Sequence, residues 1–291
     1  MRLATIRRAN EEMLCVVTAG GLIALKDINQ RFARDWPCDL QVLIQAGELD
    51  ALRLWWAEPG REEEVPLTDL IMTPESVAFA PLYRHPAKIW GIGLNYREHA
   101  SDLSEKTPTV SPASFMKPDT AIIGHGDSIQ IPRQSEKTTA EAELGIIIGK
   151  RCKDVAQNDW RSAVAGFTTI IDMTAEDILR QNPRYLTMSK SFDTFFSFGP
   201  ILVTPDEVED ILTLEVATVI NGRVHAQNVI ANMTFRPDFL VSFHSEVMTL
   251  LPGDIISTGT PGAVPIQGGD TVECRISGFS PLVNRVTDLK G

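Results

Sequence analysis

Three acidic residues stand where an acid is costly. Glu141 and Glu143 open the run Glu141-Ala142-Glu143-Leu144-Gly145-Ile146-Ile147-Ile148-Gly149, which is wholly apolar after its second glutamate. Residues two apart in a strand share a face, so both side chains point one way, about 7 Å apart along the backbone. Taken alone, the pair reads as a solvated strand end. Asp172 changes that reading, because it follows the apolar run Phe167-Thr168-Thr169-Ile170-Ile171 and an acid ending a core strand needs a partner. The other use of Asp172 is to cap a following helix, with Thr174 near its start. Three carboxylates at two strand ends form an all-oxygen site suited to Mg²⁺ or Mn²⁺ rather than Zn²⁺. A 2-oxo carboxylate suits the open positions of such a site, since it chelates through two oxygens and its enolate gains from the nearby cation.

A base and a cation accompany the acids. In Asn95-Tyr96-Arg97-Glu98-His99-Ala100-Ser101-Asp102, a short helix would set Asp102 on the same side as His99, where it orients the imidazole for taking a proton from water. On its own such a pair is more often a solvated surface feature, and His85, His125, His225 and His244 are read that way. Lys190 precedes an aromatic-rich run, Phe192 to Phe198. It either snorkels from an apolar face or helps hold negative charge on a substrate oxygen.

These residues must be positioned by strands. Strand signals cover Lys88 to Leu94, Ala142 to Ile148, Ala163 to Ile171, Leu214 to Ile220, Asp254 to Ser257 and Thr271 to Ile276. Asn221-Gly222 predicts a type I′ hairpin. Helices are expected near Leu40 to Leu54 and over Asp159 to Ala165, Thr174 to Gln181 and Pro237 to Leu250. The mixture predicts an α+β fold, a β-rich mixed-sheet roll or sandwich with peripheral helices. A small α+β unit over residues 1–80 precedes the main unit at 81–291, with the boundary near the charged stretch Glu58 to Glu64 and the segment Pro74 to Pro86. Gly91-Ile92-Gly93 lacks the third glycine of a dinucleotide-binding loop.

Composition narrows the function classes. A net charge of -11 argues against a nucleic-acid or anionic-membrane partner, since phosphate binding needs clustered Lys and Arg. No apolar run reaches the ~20 residues of a membrane helix, and no secretory signal is evident, so a cytoplasmic protein is expected. Cys15, Cys38, Cys152 and Cys274 are far apart and read as isolated reduced thiols.

Seven strings in order resemble the fumarylacetoacetate hydrolase family, in its short bacterial form. They are Gly93-Leu94-Asn95-Tyr96-Arg97-Glu98-His99-Ala100, Phe115-Met116-Lys117-Pro118, Glu141 through Lys150, Asp172-Met173-Thr174-Ala175, Lys190-Ser191-Phe192-Asp193-Thr194, Pro252-Gly253-Asp254 and Thr258-Gly259-Thr260-Pro261. The resemblance implies a β-roll catalytic domain in a homodimer, with Mg²⁺ or Mn²⁺ on Glu141, Glu143 and Asp172. It also implies water activation by His99 and Asp102, Lys190 near the metal, and Thr260 at the substrate carboxylate. The implied reaction is hydrolytic C–C cleavage of a 2,4-dioxo acid. Oxaloacetate-type decarboxylation, isomerisation of a 2-hydroxy-diene-dioate and a non-catalytic oxo-acid-binding role are the alternatives. One departure stands out: relatives commonly read Ala-Arg-Asp with a Gln two residues on, whereas this chain has Ala175-Glu176-Asp177-Ile178-Leu179. Arg180 and Arg184 are the candidates to replace the missing charge.

Overall fold

The computed structural model describes residues 1–8, 11–59, 70–96 and 108–291. His99 and Asp102 lie outside the described residues, as does most of the stretch from Glu58 to Glu64.

The expected α+β class, rich in mixed sheet, is the one the chain adopts. Two sheets form the frame. The larger runs in the order Gly21–Ala24, Glu11–Thr18, Arg2–Arg8, Phe196–Val203, Val164–Ala175, Thr138–Ile148, Ile255–Ser257, Ile89–Gly93, Ala113–Lys117. The smaller runs Arg223–Val229, Glu215–Ile220, Thr271–Ile276, Leu282–Asp288, Ser128–Ile131. Most neighbours are antiparallel, but Ile255–Ser257 lies parallel to Ile89–Gly93, and Leu282–Asp288 parallel to Ser128–Ile131.

Every residue of Thr138–Ile148 and of Val164–Ala175 is buried. The two-residue period explains how the faces are used. Ala140, Ala142, Leu144, Ile146 and Ile148 join a core with Val216, Val272, Cys274 and Leu282 of the smaller sheet. Ile147 and Ile170 face the opposite way, into a core with Ile28, Leu43, Leu52 and Trp56 from the helices Leu25–Phe32, Leu40–Gln45 and Leu49–Trp56. The first strand pairs with Phe196–Val203 through Ala4↔Ile201, so the early strands extend the larger sheet. No helix among the described residues is long and apolar enough to cross a membrane.

The elements differ from the sequence reading in instructive places. The expected helix from Leu40 to Leu54 is two helices, broken where Gly47 takes a positive φ of 73° that suits only glycine without strain. The helix expected to start at Thr174 starts at Glu176, because Thr174 still pairs with Thr139 in the sheet. Asp159 to Ala165 becomes a 3₁₀ stretch, Gln157–Ala163, and the last helix ends at Val247. Asn221 and Gly222 do close a tight hairpin, with φ of 52° and 78°. All four cysteines are free; Cys15 and Cys274 are buried, whereas Cys38 is exposed.

His244 is not the solvated histidine expected of it. It is fully buried on helix Pro237–Val247, with its ring 4.7 Å from that of Trp90. Its Nδ1 lies 2.8 Å from the Leu240 carbonyl and its Nε2 2.9 Å from Ser114 Oγ. The carbonyl can only accept, so Nδ1 carries the hydrogen and Nε2 accepts from the serine hydroxyl. Burial pushes the His244 pKa down, against the smaller opposing pull of the Leu240 carbonyl. The folded state therefore holds this histidine neutral at pH values where the unfolded chain, near 6.5, already takes a proton. Its contribution is complete above pH 6.5 and declines as pH falls below it. In urea unfolding at pH 7.5 and 5.5 the wild-type protein should lose more stability, or gain less, on acidification than His244→Gln; the same pH dependence in both proteins would remove His244 as a contributor.

Candidate active site

The register of two central strands builds the site. Asp172 sits directly opposite Glu141, and Ile170 opposite Glu143. Cross-strand partners share a face, as do residues two apart, so all three carboxylates emerge on one side of one strand pair. Their oxygens lie within 4.8 Å of one another, and each residue is buried. The sequence expectation of a polar strand end therefore needs correction. Glu141 is 7% exposed and Glu143 1%, because the strand begins three residues earlier, at Thr138.

Two ammonium groups hold this negative charge together. Lys190, at the end of the short helix Leu186–Lys190, donates to Asp172 Oδ2 at 2.6 Å and to Glu141 Oε2 at 3.0 Å. Lys117 donates to Asp172 Oδ1 at 2.6 Å and to the Met173 carbonyl at 3.2 Å. Asp172 is thus clamped on both oxygens by lysines and is not a helix cap. The Lys190 ammonium also lies 4.7 Å from the Phe115 ring centre, a favourable cation–π placement. That ring fits only because residue 91 is glycine, since a Cβ there would lie 2.2 Å from Phe115 Cζ. Lys117 was not singled out as a site residue from sequence. The signal was present in Phe115-Met116-Lys117-Pro118, where strand alternation puts Phe115 and Lys117 on one face.

Neutral donors complete the arrangement. Glu143 Oε2 accepts from Ser257 Oγ at 2.5 Å and from the Gly259 amide at 2.8 Å. Glu141 Oε1 accepts from the Thr174 hydroxyl and, at 3.4 Å, from Thr139 Oγ1. Thr260 follows Gly259 directly and is buried; its hydroxyl donates to the Gly262 carbonyl at 3.1 Å. The structure thus gathers Glu141, Glu143, Asp172 and Lys190 into one cluster and puts Thr260 on the loop that supports Glu143.

The electrostatics are divided. Burial, reinforced by Asp172 and Glu141, pushes Glu143 up to about 8. Burial opposes ionisation of Asp172 as well, but Lys117 and Lys190 outweigh it and hold its carboxyl below the usual range. For Lys190, burial is overcome by Asp172 and Glu141, and its ammonium is held above its ordinary value. For Lys117, burial wins over Asp172 and brings it down to about 8.

The donor set fits a hard divalent cation. Each carboxylate offers about four lone-pair sites, so an oxygen that already accepts a hydrogen bond retains a free one. With all three acids ionised, as ion binding would require of Glu143, the triad and two ammoniums leave one uncompensated negative charge. A divalent ion turns that into a single positive charge, which a monoanionic 2-oxo acid balances.

A buried carboxylate triad braced by lysines within a two-sheet frame is the candidate site, and similarity gives the chain its family. The family model described as Fumarylacetoacetate (FAA) hydrolase C-terminal matches residues 88–287, and the chain belongs to this family. An uncharacterised Methanocaldococcus jannaschii protein, MJ1656, is 41% identical over 204 residues, covering 70% of this chain and 84% of that one. Oxaloacetate tautomerase Fahd2a, mitochondrial, from Rattus norvegicus is 34% identical over 225 residues, covering 75% and 71%. The crystal structure of maleylpyruvate hydrolase from Sphingobium sp. SYK-6 in complex with manganese(II) and pyruvate superposes with a TM-score of 0.80 at 28% identity, covering 99% of each chain. The rat tautomerase and the Sphingobium hydrolase are enzymes, and the hydrolase structure holds Mn²⁺ and pyruvate.

Two substitutions separate folding from ion binding. Asp172→Asn leaves both ammoniums facing an amide and should cost about 3–5 kcal/mol of stability. Glu143→Gln resembles the protonated acid already favoured there, so its unfolding midpoint should stay near wild type while Mn²⁺ affinity, read by calorimetry, falls at least tenfold. Unchanged Mn²⁺ affinity in both proteins would remove the triad as the ion's site.

Proposed function

We propose that the protein is a Mg²⁺- or Mn²⁺-dependent hydrolase that cleaves the C3–C4 bond of a 2,4-dioxo acid, giving a pyruvate-type enolate and a carboxylic acid. The observation that carries this reading is the buried cluster of Glu141, Glu143 and Asp172 with Lys190 against it. A cation held by the three acids would supply positive charge to the substrate's C1 carboxylate and C2 oxygen, where the enolate charge develops.

The chain's own groups do the rest. Lys190 adds a fixed ammonium beside the same oxygens, in a buried setting where such charge acts strongly. In this proposal His99, oriented by Asp102, takes a proton from water, and the resulting hydroxide adds to C4. The C3–C4 bond breaks, its electron pair becomes the C2–C3 enolate, and C3 then takes a proton to give the 2-oxo acid. Thr260, on the loop whose Gly259 amide supports Glu143, is assigned to the substrate carboxylate as the family resemblance implies. A homodimer in the cytoplasm, with a small-molecule substrate and no nucleic-acid or membrane partner, completes the proposal.

Tautomerisation of an oxaloacetate-type acid is the second reading, favoured by the identity shared with the rat tautomerase. It uses the same enolate but needs no attacking water. Activity on a 2,4-dioxo acid panel should vanish with chelator and return with Mn²⁺ or Mg²⁺. In ¹⁸O-water the released carboxylic acid should carry one solvent oxygen. Proton exchange at C3 without cleavage or label would replace hydrolysis by tautomerisation.

A further inference from the structure

The strand that carries Phe115 and Lys117 to the triad carries a second pair of side chains away from it. Alternation along Ala113–Lys117 sends Ser114 and Met116 to the opposite face, where Ile92 and Trp90 of Ile89–Gly93 lie directly across from them. His244 of helix Pro237–Val247 meets this face, with its ring 4.7 Å from that of Trp90 and its Nε2 2.9 Å from Ser114 Oγ.

Ser114 and His244 have the arrangement of an activated nucleophile. The Leu240 carbonyl, 2.8 Å from Nδ1, fixes the tautomer whose free lone pair faces the Ser114 hydroxyl. A serine attacks well only when a base takes its proton, and burial keeps this imidazole neutral and ready to do so. The carbonyl stands where other such sites place a carboxylate to steady the protonated ring. Being neutral, it steadies that ring less, which confines the chemistry to acyl donors with a good leaving group.

Two further features suit an incoming acyl group. The Trp90 Nε1 hydrogen is buried and has no hydrogen-bond partner among the described residues, a cost that an oxygen arriving beside it would recover. Trp90 is diagonal to Ser114 across the strand pair, about 7–8 Å away at the backbone and within reach of an aromatic side chain. Ser114 itself is only half-buried and Met116 is 39% exposed, so this face opens to solvent along the strand.

We propose that Ser114, with His244 as base and the Trp90 indole N–H as oxyanion donor, forms a second nucleophilic site that accepts an acyl group from an activated ester. Ser114 Oγ adds to the ester carbonyl while its proton passes to His244 Nε2, and the resulting oxyanion takes the Trp90 hydrogen bond. The bond to the leaving oxygen then breaks, the leaving group departs with the electron pair, and the proton on His244 goes to it or to solvent. The product is an O-acyl serine, and the triad takes no part.

The full chain treated with 4-nitrophenyl acetate tests this. A burst of about one equivalent of 4-nitrophenolate should accompany acetylation of Ser114, located by peptide mass mapping, and should be the same with chelator present. Ser114→Ala should lose both the burst and the adduct. His244→Gln and Trp90→Phe should each slow acetylation of Ser114 by about a hundredfold. Should His244→Gln fail to fold, wild-type protein unfolded in urea replaces it, and Ser114 should lose its reactivity there. Labelling that misses Ser114, equal rates at Ser114 with and without His244 or the native fold, or a burst abolished by chelator overturns the site.

Discussion

The pairing of Asp172 with Glu141 across two buried antiparallel strands is the constraint on which the site depends. Register in such a pair is all or nothing, because a slip of one residue would turn every side chain of that strand to the opposite face. The apolar residues fix it. Ala142, Leu144 and Ile146 belong against the smaller sheet, and Ile147 and Ile170 against the N-terminal helices. With those assignments made, Glu141, Glu143 and Asp172 have only one face left to share. Hydrophobic packing on both sides of the sheet thus compels the approach of three like charges, which electrostatics alone would resist.

Lysines make that approach tolerable. Two ammoniums reach Asp172 from separate elements, the edge strand Ala113–Lys117 and the helix Leu186–Lys190, so the central acid remains ionised although no solvent reaches it. Glu143 receives hydroxyl and amide donors but no ammonium, and it is the acid driven up to about 8. The cluster is therefore asymmetric. It is saturated with positive charge around Asp172 and short of it around Glu143, which marks the Glu143 side as the position where an added cation gains most.

Much of this was legible in the sequence, and the misses share one cause. The three acids and the main strands follow from alternation and from an acid ending an apolar run, both local signals, whereas Lys190 is legible only through the motif that resembles the family's. The hairpin at Asn221-Gly222 is likewise local. Lys117 was missed as a site residue because its role depends on an edge strand brought beside Asp172 from 55 positions away. The depth of Glu141 is not legible because the Glu141 and Glu143 pair, taken alone, looks like a solvated strand end, whereas pairing of Thr138–Ile148 with Val164–Ala175 and with Val264–Pro265 buries it. Thr174 looked like a helix start for the same reason: its pairing with Thr139 is tertiary information. His244 was read as a surface histidine, although Trp90 and Ser114 enclose it from other strands.

A single asparagine ties the remaining parts of the site together. Asn95 is fully buried, and its amide donates to the carbonyls of Phe235 and Thr258 while its Oδ1 accepts from the Phe235 amide. One residue on from Thr258, Gly259 adopts a positive φ of 94° and approaches so closely that a Cβ would lie 2.7 Å from that of Asn95. The same Gly259 amide supports Glu143, and Thr260 follows it. The chain at Asn95, the loop carrying Thr260 and the backbone donor of Glu143 are therefore fixed by one knot of hydrogen bonds. A side chain larger than hydrogen at 259 would disturb all three together. That shared anchorage ties the string that begins Gly93-Leu94-Asn95 to the string Thr258-Gly259-Thr260, although more than 150 residues separate them.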